Sequence, residues 1–226
     1  MILIKDLSKS FGNNKVLNDI NIEFEKGKVY GIIGENGSGK TTLFRCISGL
    51  ESYRGLIESS YDSLKNNLGL LQTNPYCFKK ITGREYLQFL SNARNINVNN
   101  YDEKNIFGLP LGRYVTTYST GMVKKLAFIG ILIQKNNVYI LDEPFNGVDI
   151  QSNIIIAEVI NRLKILGKTV IISSHIFSTL SEASDEIHLL DNGSFNKKYY
   201  KDDFKKLEEK MKENVLENKI EQFCLE

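Results

Sequence analysis

Residues 32–42 read IIGENGSGKTT, and this glycine-rich loop constrains the fold more than any other part of the chain. Positions 34–41 match the pattern G-x-x-x-x-G-K-[ST] without a gap, and a short apolar run precedes them. Glycines let the backbone wrap closely around an anion, so that several N–H groups point at it. The helix predicted after the loop adds the partial positive charge of its N-terminus. The loop therefore predicts a nucleoside triphosphate site between a strand and a helix.

Two side chains of this loop have roles that follow from its chemistry. Lys40 is expected to reach the β- and γ-phosphates, and the Thr41 hydroxyl is expected to ligate Mg²⁺. The loop by itself does not distinguish a kinase, a GTPase and an ATPase. That distinction has to come from the rest of the chain.

A pair of carboxylates follows a second apolar run, VYILDEP at residues 138–144. Ligands of an open parallel sheet bind outside the carboxyl ends of its strands, so Asp142 and Glu143 are expected beside the loop. Neighbouring strand residues point to opposite faces, which lets Asp142 hold Mg²⁺ while Glu143 addresses a water molecule. In that position Glu143 would act as the general base. Considered alone, the pair is also compatible with a plain helix cap.

The pattern of apolar residues predicts an α/β fold with a largely parallel sheet. Short apolar runs, typical of strands covered on both faces, alternate with helical patterns such as residues 152–168. The three clearest runs are residues 28–34, 137–142 and 169–175.

Three parts of the chain depart from this alternation. Residues 1–24 contain two β-like runs around the turn GNNK and predict an N-terminal antiparallel β subdomain. Residues 83–135 contain two helical segments and predict a short inserted helical subdomain. Residues 197–226 predict a charged amphipathic helical tail, because its apolar positions fall near one helical face. They are Phe204, Leu207, Met211, Val215, Ile220 and Phe223.

Composition and charge favour some functional classes over others. Lys and Arg number 29 against 27 Asp and Glu, and the net charge of +2 gives no electrostatic case for nucleic acid or anionic lipid. There is no run of about 18 apolar residues, so no membrane-spanning segment is expected. The three cysteines have no metal-ligand spacing and are expected to be reduced thiols of a cytosolic protein.

In order and spacing, these motifs resemble those of the ATP-binding subunits of ABC transporters, over residues 1–196. The resemblance implies a P-loop NTPase core. The family's signature LSGGQ resembles YSTGM at residues 118–122, which keeps Ser119 and Gly121 and departs at the third and fifth positions. By this resemblance both residues contact the γ-phosphate bound by an opposite subunit. The implied assembly is a head-to-tail dimer with two nucleotides sandwiched between the subunits.

The resemblance also implies roles for isolated residues. Phe11 resembles the aromatic residue that stacks on adenine, Asp149 resembles the acid that links the two active sites, and His175 resembles the switch histidine that contacts the γ-phosphate. His188 lacks such a context and is expected to be structural.

The loop that senses Mg²⁺ in this family is less well defined here. Counting back from Thr82 places Thr73 at the metal-sensing position, and a shift of the alignment by one residue places Gln72 there. We assign Gln72. The catalytic set is Glu143 and His175, and the metal set is Thr41, Asp142 and Gln72. The ATP-binding set is Phe11, Gly34, Asn36, Gly37, Ser38, Gly39, Lys40, Thr41, Thr42, Gln72, Ser119, Gly121 and Asp149.

The function implied by the resemblance is ATP binding and hydrolysis that powers transport by a separate transmembrane permease, in an exporter. ATP and Mg²⁺ are the implied cofactors. The implied partners are the permease and either a second copy or a paired ATPase subunit, at the cytoplasmic face of the cell membrane. No nucleic acid is expected. The alternatives are a soluble ABC-type ATPase acting on ribosomes or DNA, a P-loop kinase or GTPase, and a regulatory subunit that binds ATP without turnover.

Overall fold

The computed structural model describes residues 1–175 and 177–209. In chain order the strands are β1 (Ile2–Phe11), β2 (Asn14–Phe24), β3 (Val29–Ile33), β4 (Arg54–Ser59), β5 (Leu68–Leu71), β6 (Val138–Asp142), β7 (Thr169–Ser173), β8 (Glu186–Asp191) and β9 (Ser194–Tyr200). The α-helices are α1 (Lys40–Ile47), α2 (Leu64–Asn67), α3 (Gly83–Asn92), α4 (Thr120–Ile133), α5 (Ile150–Ile165) and α6 (Phe177–Ala183). Short 3₁₀ helices span Val115–Thr117 and Lys201–Asp203.

The main sheet has the strand order β5-β6-β7-β3-β8-β9. Neighbouring strands are parallel from β5 to β8, and β9 is antiparallel to β8. Strands β3, β6 and β7 are buried at every position, because both faces of the sheet are covered. Their carboxyl ends lie at one edge of the sheet, which is where the site is built.

A second sheet covers one face of the main sheet. It is antiparallel, with the order β2-β1-β4, and its register pairs Ile2 with Phe24. The inward residues of this sheet pack with α1 and with alternate residues of the main sheet, such as Tyr30 and Ile32. The intervening residues, such as Val29 and Ile33, belong to the other core, beneath α4, α5 and α6.

The helical insertion has a core of its own. Tyr86 and Leu87 of α3 pack with Leu126 and Ile129 of α4. A capping box at Thr82 and Glu85 fixes the start of α3. The mostly parallel α/β core, the antiparallel N-terminal sheet and the helical insertion predicted from the sequence are therefore confirmed.

The predicted tail differs from the structure at its start. Residues 197–200 lie in β9, which pairs with β8, so the prediction of a helical tail from residue 197 is wrong there. An edge strand tolerates the exposed lysines of SFNKKYY, whose charge discourages pairing with another chain. Residues 204–209 are helical, and Phe204 and Leu207 are buried in the core. The other apolar positions of the predicted tail, and Cys224, lie outside the described residues.

The helices in the described ranges, 1–175 and 177–209, include none that has the length and apolar character needed to cross a membrane.

A cluster of charged side chains surrounds a buried carboxylate on β8, next to β3 and β9. Glu186 on β8 is 3% exposed and forms ion pairs with Lys28 (3.1 Å) and Lys198 (2.9 Å). His188 is buried beside it, against the rings of Tyr30 and Phe195. Burial lowers the pKa of His188 from 6.5 to about 4, against the attraction of the Glu186 carboxylate. His188 is thus a neutral structural residue at pH 7, as its lack of a motif indicated.

Because the pKa of His188 is lower in the folded state, the unfolded chain binds a proton that the folded chain does not between pH 6.5 and about 4. We therefore expect the free energy of unfolding to decrease as the pH is lowered through this range, by up to about 1.4 kcal/mol per pH unit for one proton. Folding also lowers the pKa of Glu186 from its usual 4.5. The contribution of its carboxylate to the free energy of unfolding is therefore lost as the pH is lowered below 4.5. His188→Phe should flatten the fall between pH 6.5 and 5 in urea titrations, and its effect at pH 8 reports packing alone. An unchanged slope would contradict this account.

Candidate active site

The glycine-rich loop joins β3 to α1 at the edge of the main sheet. Gly37 and Gly39 have φ angles of 87° and 108°, which L side chains rarely adopt, so glycine is required at both positions. At Gly34 a Cβ atom would lie 2.3 Å from the carbonyl oxygen of Leu190, so glycine is required there by close packing. Gly39 directly precedes α1, and the loop therefore wraps around the helix N-terminus as predicted.

Lys40, the first residue of α1, turns back over the loop. Its Nζ donates hydrogen bonds to the carbonyl oxygens of Gly34 (2.7 Å) and Glu35 (2.9 Å). Burial lowers the pKa of Lys40, while the nearby carboxylates of Glu143 and Asp142 oppose that change. The loop thus holds a partly desolvated cation beside two acids.

Asp142 ends β6 and is 2% exposed. Its Oδ2 accepts hydrogen bonds from the hydroxyls of Thr41 and Thr73, both at 2.7 Å. Its Oδ1 accepts one from the hydroxyl of Ser173 at 2.6 Å. One carboxylate therefore gathers three hydroxyls from α1, from the segment after β5 and from the end of β7.

Glu143 and His175 form a second pair at the same edge. Glu143 has a φ of 52°, in the left-handed region, and its N–H donates to the hydroxyl of Ser173 at 3.0 Å. Its Oε2 lies 2.8 Å from Nδ1 of His175. The turned backbone brings the Glu143 side chain to the rim of the site, where His175 holds one of its oxygens.

These groups surround a cavity of about 520 Å³. The residues lining it are Val16, Asn36, Gly37, Gly39, Lys40, Thr41, Thr42, Thr73, Asp142, Glu143, Asn146 and His175. Most of the residues predicted from the loop and from the carboxylate pair therefore meet at one place. Gly34 and Ser38 lie next to the lining residues without lining the cavity themselves. The carbonyl oxygen of Gly34 accepts a hydrogen bond from Lys40, and Gly34 packs against Leu190 and Ser38.

Phe11 and Gln72 were also predicted site residues, and neither lines this cavity. Phe11, at the end of β1, is 49% exposed and lies 4.7 Å from Nζ of Lys9. Gln72 is replaced by its neighbour, because Thr73 is the residue that reaches Asp142. β5 ends at Leu71, and the second residue beyond it, Thr73, is the one that lines the site, so the structure places Thr73 and not Gln72 against Asp142.

The signature segment forms a separate surface. Ser119 caps α4 by accepting a hydrogen bond from the N–H of Met122. A Cβ atom on Gly121 would lie 2.5 Å from the carbonyl oxygen of Gly147, so α4 and the segment before α5 touch through backbone. Asp149 caps α5 and pairs with Lys125 at 2.9 Å, and these contacts hold its pKa well below the usual range. Ser119, Gly121 and Asp149 thus stand together, outside the cavity of their own chain.

Four contributing residues were missed in the sequence. Ser173 holds both Asp142 and the N–H of Glu143, Val16 and Asn146 line the cavity, and Lys124 contacts the main chain beneath Glu143. Ser173 carried a usable signal, because it ends an apolar strand next to the strand of Asp142. Val16, Asn146 and Lys124 carried no signal that spacing alone would reveal.

Comparison with known proteins places the chain in a family. The sequence model of the ABC transporter family matches residues 17–146. The ABC transporter ATP-binding protein NatA of Bacillus subtilis is 33% identical over 215 residues, covering 85% of this chain and 87% of that protein. The lantibiotic transport ATP-binding protein SrtF of Streptococcus pyogenes is 30% identical over 230 residues, covering 96% of this chain and 98% of that protein.

A solved structure of an ATP-binding subunit of an ABC transporter superposes with a TM-score of 0.83 at 26% identity. The superposition covers 92% of this chain and 93% of that one. The chain therefore belongs to the ABC transporter family and is one of its ATP-binding subunits, an ATPase.

The double role of Ser173 gives a test of the site's internal support. Ser173→Ala leaves the N–H of Glu143 and one oxygen of Asp142 without their buried partner. We expect a loss of about 1–3 kcal/mol in the free energy of unfolding, measured by urea titration. The control is Ser10→Ala on the exposed side of β1, which should change it by less than about 0.5 kcal/mol. If both substitutions lowered the free energy of unfolding by the same small amount, the Ser173 hydroxyl would contribute nothing to the stability of the site.

Proposed function

We propose that this chain is the ATP-hydrolysing subunit of a transporter whose permease is a separate polypeptide, and that the transporter is an exporter. The observation that carries the proposal is the convergence of Lys40, Asp142, Glu143 and His175 on one cavity behind a glycine-rich loop. The name of the relative SrtF, a lantibiotic transport protein, supports a transport role.

The phosphates of ATP would lie on the backbone N–H groups of the loop, at the N-terminus of α1. Lys40 would exchange its two carbonyl partners for phosphate oxygens. Hydrogen bonds from an ammonium to a charged phosphate are stronger than those to a neutral carbonyl, so they offset the desolvation of the ammonium better. Phe11 would contribute its exposed ring to the adenine.

The donor set around Asp142 fits Mg²⁺. The hydroxyls of Thr41 and Thr73 each lie 2.7 Å from Oδ2 of Asp142, and such hard oxygens are the ligands that Mg²⁺ prefers. When bound, Mg²⁺ would neutralise charge on the phosphates.

Glu143 would be the general base. Its carboxylate accepts a proton from water as the water oxygen bonds to the γ-phosphorus and the bond to the departing ADP oxygen breaks. His175 would orient the carboxylate through its contact with Oε2 and reach the γ-phosphate from the open side.

The separate surface of Ser119, Gly121 and Asp149 would face the nucleotide of a second ATPase subunit, which is either another copy of this chain or a paired subunit. The N-terminus of α4 with its hydroxyl is suited to a phosphate that its own chain does not hold. The assembly would lie at the cytoplasmic face of the cell membrane with its permease, and no nucleic acid partner is expected.

Glu143→Gln tests the base and the dimer together. We expect ATP binding to persist, hydrolysis to fall by about 10²–10⁴-fold, and the protein to elute as a dimer from a sizing column only with ATP and Mg²⁺. Wild-type turnover in this variant would remove Glu143 as the base. ATP binding without a shift to dimer would remove the self-contained homodimer and leave the ATPase assignment standing.

Ser119→Arg tests the facing surface on its own. The bulky cation should block closure on a second subunit while leaving ATP binding by the monomer within about two-fold of wild type, because Ser119 lies outside its own chain's cavity. Sizing chromatography in the Glu143→Gln background is the measurement. The matched control is Ser60→Arg at the far end of the N-terminal sheet. Normal ATP-dependent dimerisation of Ser119→Arg would show that the signature assignment is wrong.

A further inference from the structure

Lys124 is a charged residue in an unusual place. It lies in the second turn of α4 and is 5% exposed. Its Nζ donates hydrogen bonds to the carbonyl oxygens of Glu143 (3.0 Å) and Asn146 (2.7 Å). Burial lowers the pKa of Lys124, while the carboxylates of Glu143 and Asp142 oppose that change. Burying an ammonium group costs free energy of desolvation, so its position beneath these carbonyls indicates a specific role for Lys124.

The two carbonyls belong to the turn that leaves β6. Glu143 adopts a left-handed backbone, which a residue with a side chain seldom does unless the surroundings hold it there. The N–H of Asn146 closes the turn on the carbonyl of Glu143 at 3.2 Å. That carbonyl therefore accepts from Lys124 as well as from its own turn.

Glu143 is thus held from both sides of its backbone. Its N–H donates to Ser173 of β7, and its carbonyl accepts from Lys124 of α4. With both backbone groups fixed, the direction of the Cα–Cβ bond of Glu143 is set, and the contact with His175 holds its carboxylate at the cavity rim. Lys124 is not among the residues that line the cavity, so it reaches the site through the turn that carries Glu143 and Asn146.

We propose that Lys124 is a positioning residue for hydrolysis, which keeps the left-handed turn at Glu143 and Asn146 in the conformation that aims the Glu143 carboxylate at the nucleotide. The inference rests on the proposed role of Glu143 as the base. It adds a residue of the helical insertion to the machinery of the main sheet.

Lys124→Met removes the ammonium while keeping most of the side-chain volume. We expect kcat for ATP hydrolysis to fall by about 10²-fold, the size of a displacement near 1 Å, with KM for MgATP changed by less than about three-fold. The control is Lys164→Met, which removes a half-buried lysine of α5 from its ion pair with Asp185. It should keep wild-type kcat, so an equal loss in both variants would overturn the proposal.

A double-mutant cycle separates positioning from general destabilisation. If Lys124 acts through the carboxylate, adding Lys124→Met to Glu143→Gln should lower the residual single-turnover rate by less than about two-fold. A full additional loss in that background would overturn the proposal. Lys124→Gln, which keeps N–H donors, should lose less than Lys124→Met, and it carries the same cycle if Lys124→Met fails to fold.

The outcomes distinguish this proposal from the proposed function. Wild-type turnover in Glu143→Gln would remove the base itself, whatever Lys124 does. Loss of turnover in Glu143→Gln, together with wild-type kcat in Lys124→Met, would overturn the role of Lys124 alone.

Discussion

The carboxylate of Asp142 is the interaction on which the arrangement of the site depends. It accepts hydroxyl hydrogen bonds from Thr41, Thr73 and Ser173, which belong to three different segments. At 2% exposure this carboxylate would be costly to bury without such partners. Satisfying one buried acid therefore sets the start of α1, the segment after β5 and the end of β7 in fixed relation. The loop, the carboxylates and His175 take their places around that group.

The parts of the site that the sequence could predict are those fixed by local chemistry. The loop at residues 34–41 needs glycines because its own backbone turns through positive φ angles, so its pattern is contiguous and readable. Asp142 and Glu143 follow a run buried at every position, and the rule that ligands bind at strand carboxyl ends places them correctly. The alternation of such runs with helices was likewise sufficient to predict the parallel sheet.

The parts that the sequence could not predict depend on distances between segments. Choosing between Gln72 and Thr73 requires knowing which side chain reaches Asp142, and a one-residue slip in the sequence hides that contact. The lysines of β9 read as part of a solvated tail, because an edge strand exposes the same residues that a surface helix would. Lys124 looks like an ordinary helix lysine until α4 is packed under the turn at Glu143.

Helix α4 connects the surface of Ser119 and Gly121 with the turn that carries Glu143. Its N-terminus carries Ser119 and Gly121 outside the chain's own cavity, and its second turn carries Lys124 beneath Glu143. Gly121 also touches the backbone of Gly147, on the path from Glu143 to Asp149. In the proposed dimer, a phosphate bound by the second subunit would therefore press on the helix that positions this subunit's own base. Packing this close leaves little room for α4 to shift without moving the turn at Glu143, which would give the two sites of the proposed dimer a direct physical connection.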